Sequence, residues 1–289
     1  MTVEVDPELE TVIAIAVRAS ARVAELYREH LERGVQVDMK GPGDPVTVAD
    51  REANVMICEA LAEAFPDAGV IAEESAPEDA ASLAALATRP RVFFVDPLDG
   101  TREFVDQNGE FAVMIGLAVD GRAEAGVVAL PVDGRLVAGR VGGGAFVQEP
   151  NGDRRSLAVE PTSRFDAATM VVSRSHLPPI IAPLRKRLGI GELEPCGSVG
   201  VKISRIVLGQ ADLYVHAGPG MKHWDTCGPQ AILEAAGGRM TDLRGQPMDY
   251  GSSEIRLQRG LVATNGHLHP GVLSAVDWAE REAARVARA

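Results

Sequence analysis

The apolar run Val92-Phe93-Phe94-Val95 leads straight into Asp96-Pro97-Leu98-Asp99-Gly100-Thr101. An uninterrupted run of this kind reads as a strand covered on both faces, the position of a central strand in a layered α/β protein. Asp96 therefore stands at the mouth of a sheet, where such proteins place their ligands. Residues three apart on a straight strand point to opposite faces. Asp96 and Asp99 can converge only if the chain bends between them, and Pro97 with the turn dipeptide Asp99-Gly100 supplies that bend. Taken alone, this pair of aspartates is a solvated loop more often than a site. A second apolar run, Gly69-Val70-Ile71-Ala72, also ends in acid, at Glu73-Glu74.

The elements around these strands follow from periodicity and punctuation. Asp6-Pro7 precedes apolar residues at Leu9, Val12, Ile13, Ala16, Val17, Val23, Ala24, Leu26 and Tyr27, which gives an N-cap, a first-turn proline and a helical period ending at Gly34. A second helix is predicted from about Ala49 to Phe65, and an alanine-rich one over 79–87; GPGDPVTVAD (41–50) reads as a loop. From Phe111 to about Val159, Asp120-Gly121, Asp133-Gly134 and Asn151-Gly152 divide alternating apolar runs, which predicts an antiparallel meander. From Thr169 onward, strands at MVVSR, LEPC, ADLYVHA and GLVATN alternate with helices near 179–188, from about Val199 to Leu208, after Trp224, and through Trp278. The change near residue 160 predicts two subdomains in one α/β layered body. Residues 1–160 form an α+β half carrying the meander and most of the acidic candidates, and residues 161–289 an α/β half carrying Asp225.

Charge narrows the partners. With 41 acidic against 29 basic residues the net charge is −12, and the one short basic run is Arg185-Lys186-Arg187. This argues against polymeric nucleic acid and anionic membrane. A small anion is still admissible, because bound divalent cations reverse the field of a carboxylate cluster. Cys58, Cys196 and Cys227 are odd in number and far apart, and the N-terminus lacks the pattern of an export signal, so reduced thiols and a cytoplasmic location are expected.

Converging carboxylates persist at neutral pH only when protonated or neutralised by a cation. Oxygen ligands favour Mg²⁺, Mn²⁺ or Ca²⁺ over zinc, and no His/Cys cluster points elsewhere. Gly100 and Thr101 offer N–H groups at the start of TREFV, which suits a phosphate oxygen. Asp225, ahead of an apolar helical run with Pro229 in its first turn, reads as an N-cap that can also give one oxygen to a metal. Cys227 beside it raises the expectation of oxidation-sensitive activity.

Four stretches in order, DPVTVAD (44–50), GVIAEES (69–75), DPLDGT (96–101) and WDTCG (224–228), together resemble the inositol monophosphatase superfamily of lithium-sensitive, Mg²⁺-dependent phosphatases. The resemblance implies the layered α-β-α-β-α sandwich of the inositol monophosphatase and fructose bisphosphatase type, and a homodimer. It implies two or three Mg²⁺ ions held by Glu73, Asp96, the Leu98 carbonyl, Asp99 and Asp225, with Asp50 and Thr101 orienting or deprotonating the attacking water. Glu73 is assigned rather than Glu74, because the first glutamate of EES is the family's ligand.

TREFVDQNGEFAVMIGL (101–117), VVSRSH (171–176), GSVGVK (197–202) and ADLYVHAG (211–218) look like the 3′(2′),5′-bisphosphate nucleotidase branch of sulfate assimilation. The resemblance implies hydrolysis of the 3′-phosphate of 3′-phosphoadenosine 5′-phosphate, and of its 5′-phosphosulfate. Inositol 1-phosphate, fructose 1,6-bisphosphate or histidinol phosphate are the alternatives. A second phosphate needs cations beyond the metals: Arg174 and Lys202 are candidates, His176 for ribose, base or phosphate, and Ser198 as N-cap or substrate contact. A non-catalytic metal- and nucleotide-binding regulator is the alternative of another class, and it has no need of Asp50 and Thr101.

Overall fold

The computed structural model describes residues 5–41, 44–175, 177–218 and 220–286. Helix α1 (Pro7–Arg33) is capped as its sequence dictates. The Asp6 carboxylate accepts from Leu9 N at 3.0 Å, and Gly34 closes the helix at φ +79°. Its first turn is pinned to the neighbouring sheet by ion pairs of Asp6 and Glu8 with Arg140, and of Glu10 with Arg154. Strands β1 (Asp38–Gly41) and β2 (Asp44–Val46) pair antiparallel, β2 lying within the segment expected as a loop. The paired residues carry no apolar alternation to reveal them.

Helix α2 (Val48–Ala64) leads to β3 (Gly69–Ala72), α3 (Ala80–Ala87), β4 (Arg91–Asp99) and the short α4 (Thr101–Val105). The meander follows as β5 (Ala112–Val119), β6 (Arg122–Leu130), β7 (Arg135–Arg140), β8 (Gly144–Gln148) and β9 (Arg154–Leu157). Asp120 and Gly121 both take positive φ, the geometry of a tight hairpin turn. Strands β3 to β9 form a seven-stranded sheet in chain order, parallel only between β3 and β4.

The second half supplies β10 (Thr169–Ser173), α5 (Ile181–Leu188), β11 (Glu192–Cys196), α6 (Val199–Val207) and β12 (Leu213–His216). Then come α7 (His223–Ala235), β13 (Arg239–Thr241), β14 (Leu261–Thr264) and α8 (His269–Val286). These strands form a five-stranded sheet in the order β11-β10-β12-β14-β13, with β10, β11 and β12 parallel. Strand β13, too short to show a period, escapes the sequence reading.

The layers run α-β-α-β-α. One face of the large sheet (Phe93, Val95, Val113, Ile115) packs on α1 and α2. Its other face meets α6 and α7 through Met114, Val128, Ile203, Ile206, Ile232 and Leu233, which also touch Val171, Tyr214 and Ala263 of the second sheet. The far side of that sheet (Met170, Val172, Leu213, Val262) is closed by α5 and α8. The architecture is an α/β sandwich with mixed sheets.

Helix α7 sits unusually low on the large sheet. Phe94, Gly116, Gly126 and Gly139 are successive partners across β4, β5, β6 and β7. The three glycines leave a trench in which α7 lays Gly228 and Ala235. A methyl on Gly116 would come within 2.2 Å of Gly228 N, one on Gly126 within 2.2 Å of Gly228 O, and one on Gly139 within 2.9 Å of the Ala235 methyl. Backbone on both sides has nowhere to give. Gly126→Ala is expected to lower stability in urea unfolding by about 3 kcal/mol, the upper end for an inserted methyl. Gly41→Ala, which has open space around it, stays within about 0.5 kcal/mol. A Gly126→Ala protein as stable as the parent overturns the packing argument.

Candidate active site

Strand β4 carries two of the acids, and an irregularity in its pairing turns them the same way. Asp96 pairs with Met114 and Asp99 with Ala112, so three steps on β4 match two on β5. The extra residue is a β-bulge, which restores a common face to side chains that a regular strand would send apart. That face is the one Phe94 uses against His223 and Tyr250, so Asp96 looks toward the start of α7. Asp96 and Asp99 are 2% and 8% exposed.

Asp225 comes to them on α7, at the third helical position rather than at the N-cap. Lys222 is the cap, and its N–H donates to Asp225 Oδ2 at 2.7 Å. The cap lies three residues earlier than the sequence suggests, because Lys222 and His223 are held by pairing with the 255–257 segment. Glu73 follows β3, which lies beside β4, and its N–H bonds Val95 O at 3.0 Å.

The four acids repel one another. Burial first, and then the charges of Glu73, Asp99 and Asp225, push the Asp96 carboxyl well above its usual range. Asp225 is raised in the same way, by desolvation, Glu73 and Asp99, with the Lys222 N–H opposing. Asp99 is raised by burial and lowered in turn by Ser198, the Gly200 N–H and Lys202. Each aspartate has one oxygen anchored to main chain: Asp96 Oδ1 accepts from Leu98 N (3.0 Å), and Asp99 Oδ2 from Gly200 N (2.6 Å) and the Ser198 hydroxyl.

A cation already leans on the group. Lys40, on β1, donates to Glu73 Oε1 at 2.8 Å and Glu74 Oε1 at 2.7 Å, and its pKa is raised despite partial burial. Glu73 is the member of this pair that acts on Asp96, while Glu74 feels Asp50. Among the described residues no three His, Cys, Asp or Glu side chains stand at metal-binding spacing. The donor chemistry, carboxylates plus the buried Leu98 carbonyl, fits a hard divalent ion. The surplus of negative charge fits it too.

Next to the cluster lies the Asp50–Thr101 pair. The Thr101 hydroxyl donates to Asp50 Oδ1 at 2.8 Å and is 3.2 Å from the Leu98 carbonyl oxygen. Asp50 Oδ2 accepts from both Thr47 N and the Thr47 hydroxyl, each at 2.7 Å, completing a capping box at the start of α2. Burial raises the Asp50 carboxyl and these bonds oppose it. The helix expected from about Ala49 thus starts with a capping box whose signature, Thr47-x-x-Asp50, stands in the sequence.

The substrate-side candidates are placed unevenly. Ser198 caps α6, accepting from Val201 N at 3.0 Å while donating to Asp99, so it is cap and site residue at once. Lys202 is 2% exposed; its ammonium bonds the Gly197 and Ser198 carbonyls and lies over the Tyr214 ring. Arg174 is engaged by Glu110, and Gly100, in left-handed conformation, sets the start of α4. His176 lies outside the described residues. Cys227 is fully buried and its thiol is pushed up by burial, which removes the expectation of oxidation-sensitive activity. All three cysteines are free thiols. Lys40 and Glu110 were missed because a lone Lys on a short polar strand and a lone Glu in a connection carry no periodic or spacing signal.

Among the described residues no helix is long and apolar enough to cross a membrane. The chain is 32% identical over 252 residues to the 3′(2′),5′-bisphosphate nucleotidase CysQ of Escherichia coli, covering 87% of this chain and 97% of that protein. It is 33% identical over 238 residues to human 3′(2′),5′-bisphosphate nucleotidase 1, covering 72% and 74%. Among solved structures, the extragenic suppressor protein SuhB of Bartonella henselae is similar with a TM-score of 0.78 at 26% identity, over 94% of this chain and 98% of that one. A model of the inositol monophosphatase family matches residues 8–280. With that match running from the first helix into the last, the chain belongs to the inositol monophosphatase family.

Proposed function

We propose that this member of a phosphatase family is a Mg²⁺-dependent phosphomonoesterase that removes the 3′-phosphate of 3′-phosphoadenosine 5′-phosphate and of its 5′-phosphosulfate. The observation that carries the reading is the gathering of Glu73, Asp96, Asp99 and Asp225 into one mutually repelling group beside Asp50 and Thr101. Such a group calls for positive charge, and a phosphate ester brought to it needs the same charge. Glu73, Asp96, the Leu98 carbonyl, Asp99 and Asp225 would hold the ions. When bound, Mg²⁺ supplies Lewis-acid stabilisation to the negative charge that builds on the phosphoryl oxygens.

The chain's own groups do the rest. Thr47 fixes one oxygen of Asp50, and the other takes the Thr101 proton. The Thr101 oxygen keeps lone pairs for a water, which is thereby oriented; as its proton moves to Thr101, the threonine proton has Asp50 to go to. Burial raises Asp50's affinity for that proton. The main-chain anchors of Asp96, Asp99 and Asp225 hold the remaining carboxylate oxygens in place, so little reorganisation is needed during reaction.

The nucleotide is favoured because the Escherichia coli and human relatives above 30% identity are named bisphosphate nucleotidases. Phosphate release with Mg²⁺ from the nucleotide bisphosphate, inositol 1-phosphate, fructose 1,6-bisphosphate and histidinol phosphate decides between these esters. The nucleotide is expected to be preferred by well over tenfold and to be inhibited by Li⁺. Equal or faster turnover of inositol 1-phosphate reverses the assignment. Silence on all four esters, with metal still binding, identifies a regulator instead.

Asp96→Asn supplies a second test. Asparagine keeps the acceptor for Leu98 N and removes one of the repelling charges. The variant is expected to melt at or above the parent's temperature in chelator. It should lose most of the Mg²⁺-induced rise in melting temperature, and turnover should fall by about a thousandfold or more, as removal of several kcal/mol of charge stabilisation requires. A full Mg²⁺-induced shift in Asp96→Asn rules Asp96 out as a ligand.

A further inference from the structure

The order of the five-stranded sheet reverses at β10: the next strand in the chain, β11, lies on one side of it and β12 on the other. Open parallel sheets take ligands at the carboxyl end of such a reversal. The residue that leaves β10 at that end is Arg174. It is met there by Glu110, which reaches across from the connection between α4 and β5 of the other sheet.

Glu110 is committed on every side. Its Oε2 accepts from Arg174 Nε at 2.9 Å and Gly197 N at 2.8 Å; its Oε1 accepts from Arg174 Nη2 at 2.8 Å and Arg205 Nη2 at 3.1 Å. Its main-chain oxygen accepts from Ser198 N at 3.2 Å, and Ser198 is the residue whose hydroxyl bonds Asp99. The side chain of Glu110 is 14% exposed and that of Arg174 45%. Arg174 Nη2 also holds the Pro195 carbonyl at 3.1 Å, whereas among the described residues Nη1 makes no hydrogen bond. An exposed ion pair of this length is ordinarily worth little. This one is different in kind, because the same carboxylate that fixes the guanidinium also holds Gly197, next to the serine whose hydroxyl bonds Asp99.

We propose that Glu110 is a positioning residue for the phosphate that is not hydrolysed. It locks the Arg174 guanidinium in one orientation, with the Nη1 edge turned to that phosphate. Arg205 reaches Glu110 by a single, longer bond of 3.1 Å and has a carboxylate of its own in Glu194 at 2.9 Å, so the bidentate hold of Glu110 on Arg174 does not depend on it. The arrangement selects esters with two phosphates over those with one. This inference rests on the nucleotide reading above.

The test is steady-state kinetics on the nucleotide bisphosphate and on inositol 1-phosphate. Glu110→Gln and Arg174→Gln are each expected to lower the ratio of kcat/KM for the bisphosphate over the monophosphate by about tenfold or more, the scale of a hydrogen bond to a charged group. The loss should fall on KM rather than kcat. The double variant should be no worse than Arg174→Gln alone, Arg174→Lys should recover part of the ratio, and Arg205→Gln should leave it unchanged. Should Glu110→Gln not accumulate, Glu110→Asp, which withdraws the charge by one methylene, is expected to show the same split. Equal losses on both substrates, additive effects in the double variant, or an Arg205→Gln loss matching that of Glu110→Gln overturns the proposal while the nucleotide reading stands. A parent enzyme with no preference for the bisphosphate overturns both.

Discussion

Backbone lies on backbone where α7 crosses the large sheet, and the location of Asp225 depends on that contact. Gly116, Gly126 and Gly139 open the trench, and Gly228 and Ala235 settle into it a helical repeat of seven apart. Gly228 is only three positions beyond Asp225. The depth of the helix is therefore transmitted almost directly to the distance between Asp225 and the acids of β4. Any side chain in the trench lifts the helix off the sheet. In this respect a packing detail of the core is also a detail of the candidate site.

Gathering acids where several of them are buried opposes folding, and the molecule offsets this by anchoring the aspartates at the ends of elements. Asp50 and Asp225 are third-position residues of helices, and Asp99 bonds the first turn of another. Helix starts present unpaired N–H groups and the positive end of the dipole, so a carboxylate is better tolerated there than elsewhere in an interior. Asp96 has no helix to use and takes the N–H that the bulge frees at Leu98. What remains uncompensated is shared with Lys40, whose ammonium spans Glu73 and Glu74. The acids are thus fixed individually while still repelling collectively.

The local features of this design were legible in the sequence. Caps at Asp6 and Gly34, the hairpin dipeptides of the meander and the apolar strands leading into Glu73 and Asp96 all appear where their residues dictate, although β4 runs on to Asp99. The reversal between Asp96 and Asp99 was inferred from proline and a turn dipeptide; it is achieved by a bulge, which depends on the partner strand and leaves no mark of its own. The glycine trench was visible only as scattered letters. Gly116, Gly126 and Gly139 fall into one row once the register of three strands is known, and sequence spacing does not supply register. Lys40 and Glu110 act over 33 and 64 residues of separation, on Glu73 and Arg174 respectively, where no local rule applies.

The two sheets divide the sequence near residue 160, yet the candidate site belongs to neither alone. The large sheet contributes Glu73, Asp96 and Asp99, while Ser198, Arg174 and Asp225 follow from the second half. Helices α6 and α7 form the layer between the sheets, and both begin at the acidic cluster. Their starts are the points where Ser198 and the Gly200 N–H reach Asp99, and where Lys222 N–H reaches Asp225. A shift of one sheet against the other would move these helix starts against β4, so the middle layer couples the packing of the two halves to the spacing of the charges. Two halves that could drift independently would be unable to hold four like charges at fixed separations, and this gives a physical reason for burying α6 and α7 on both sides.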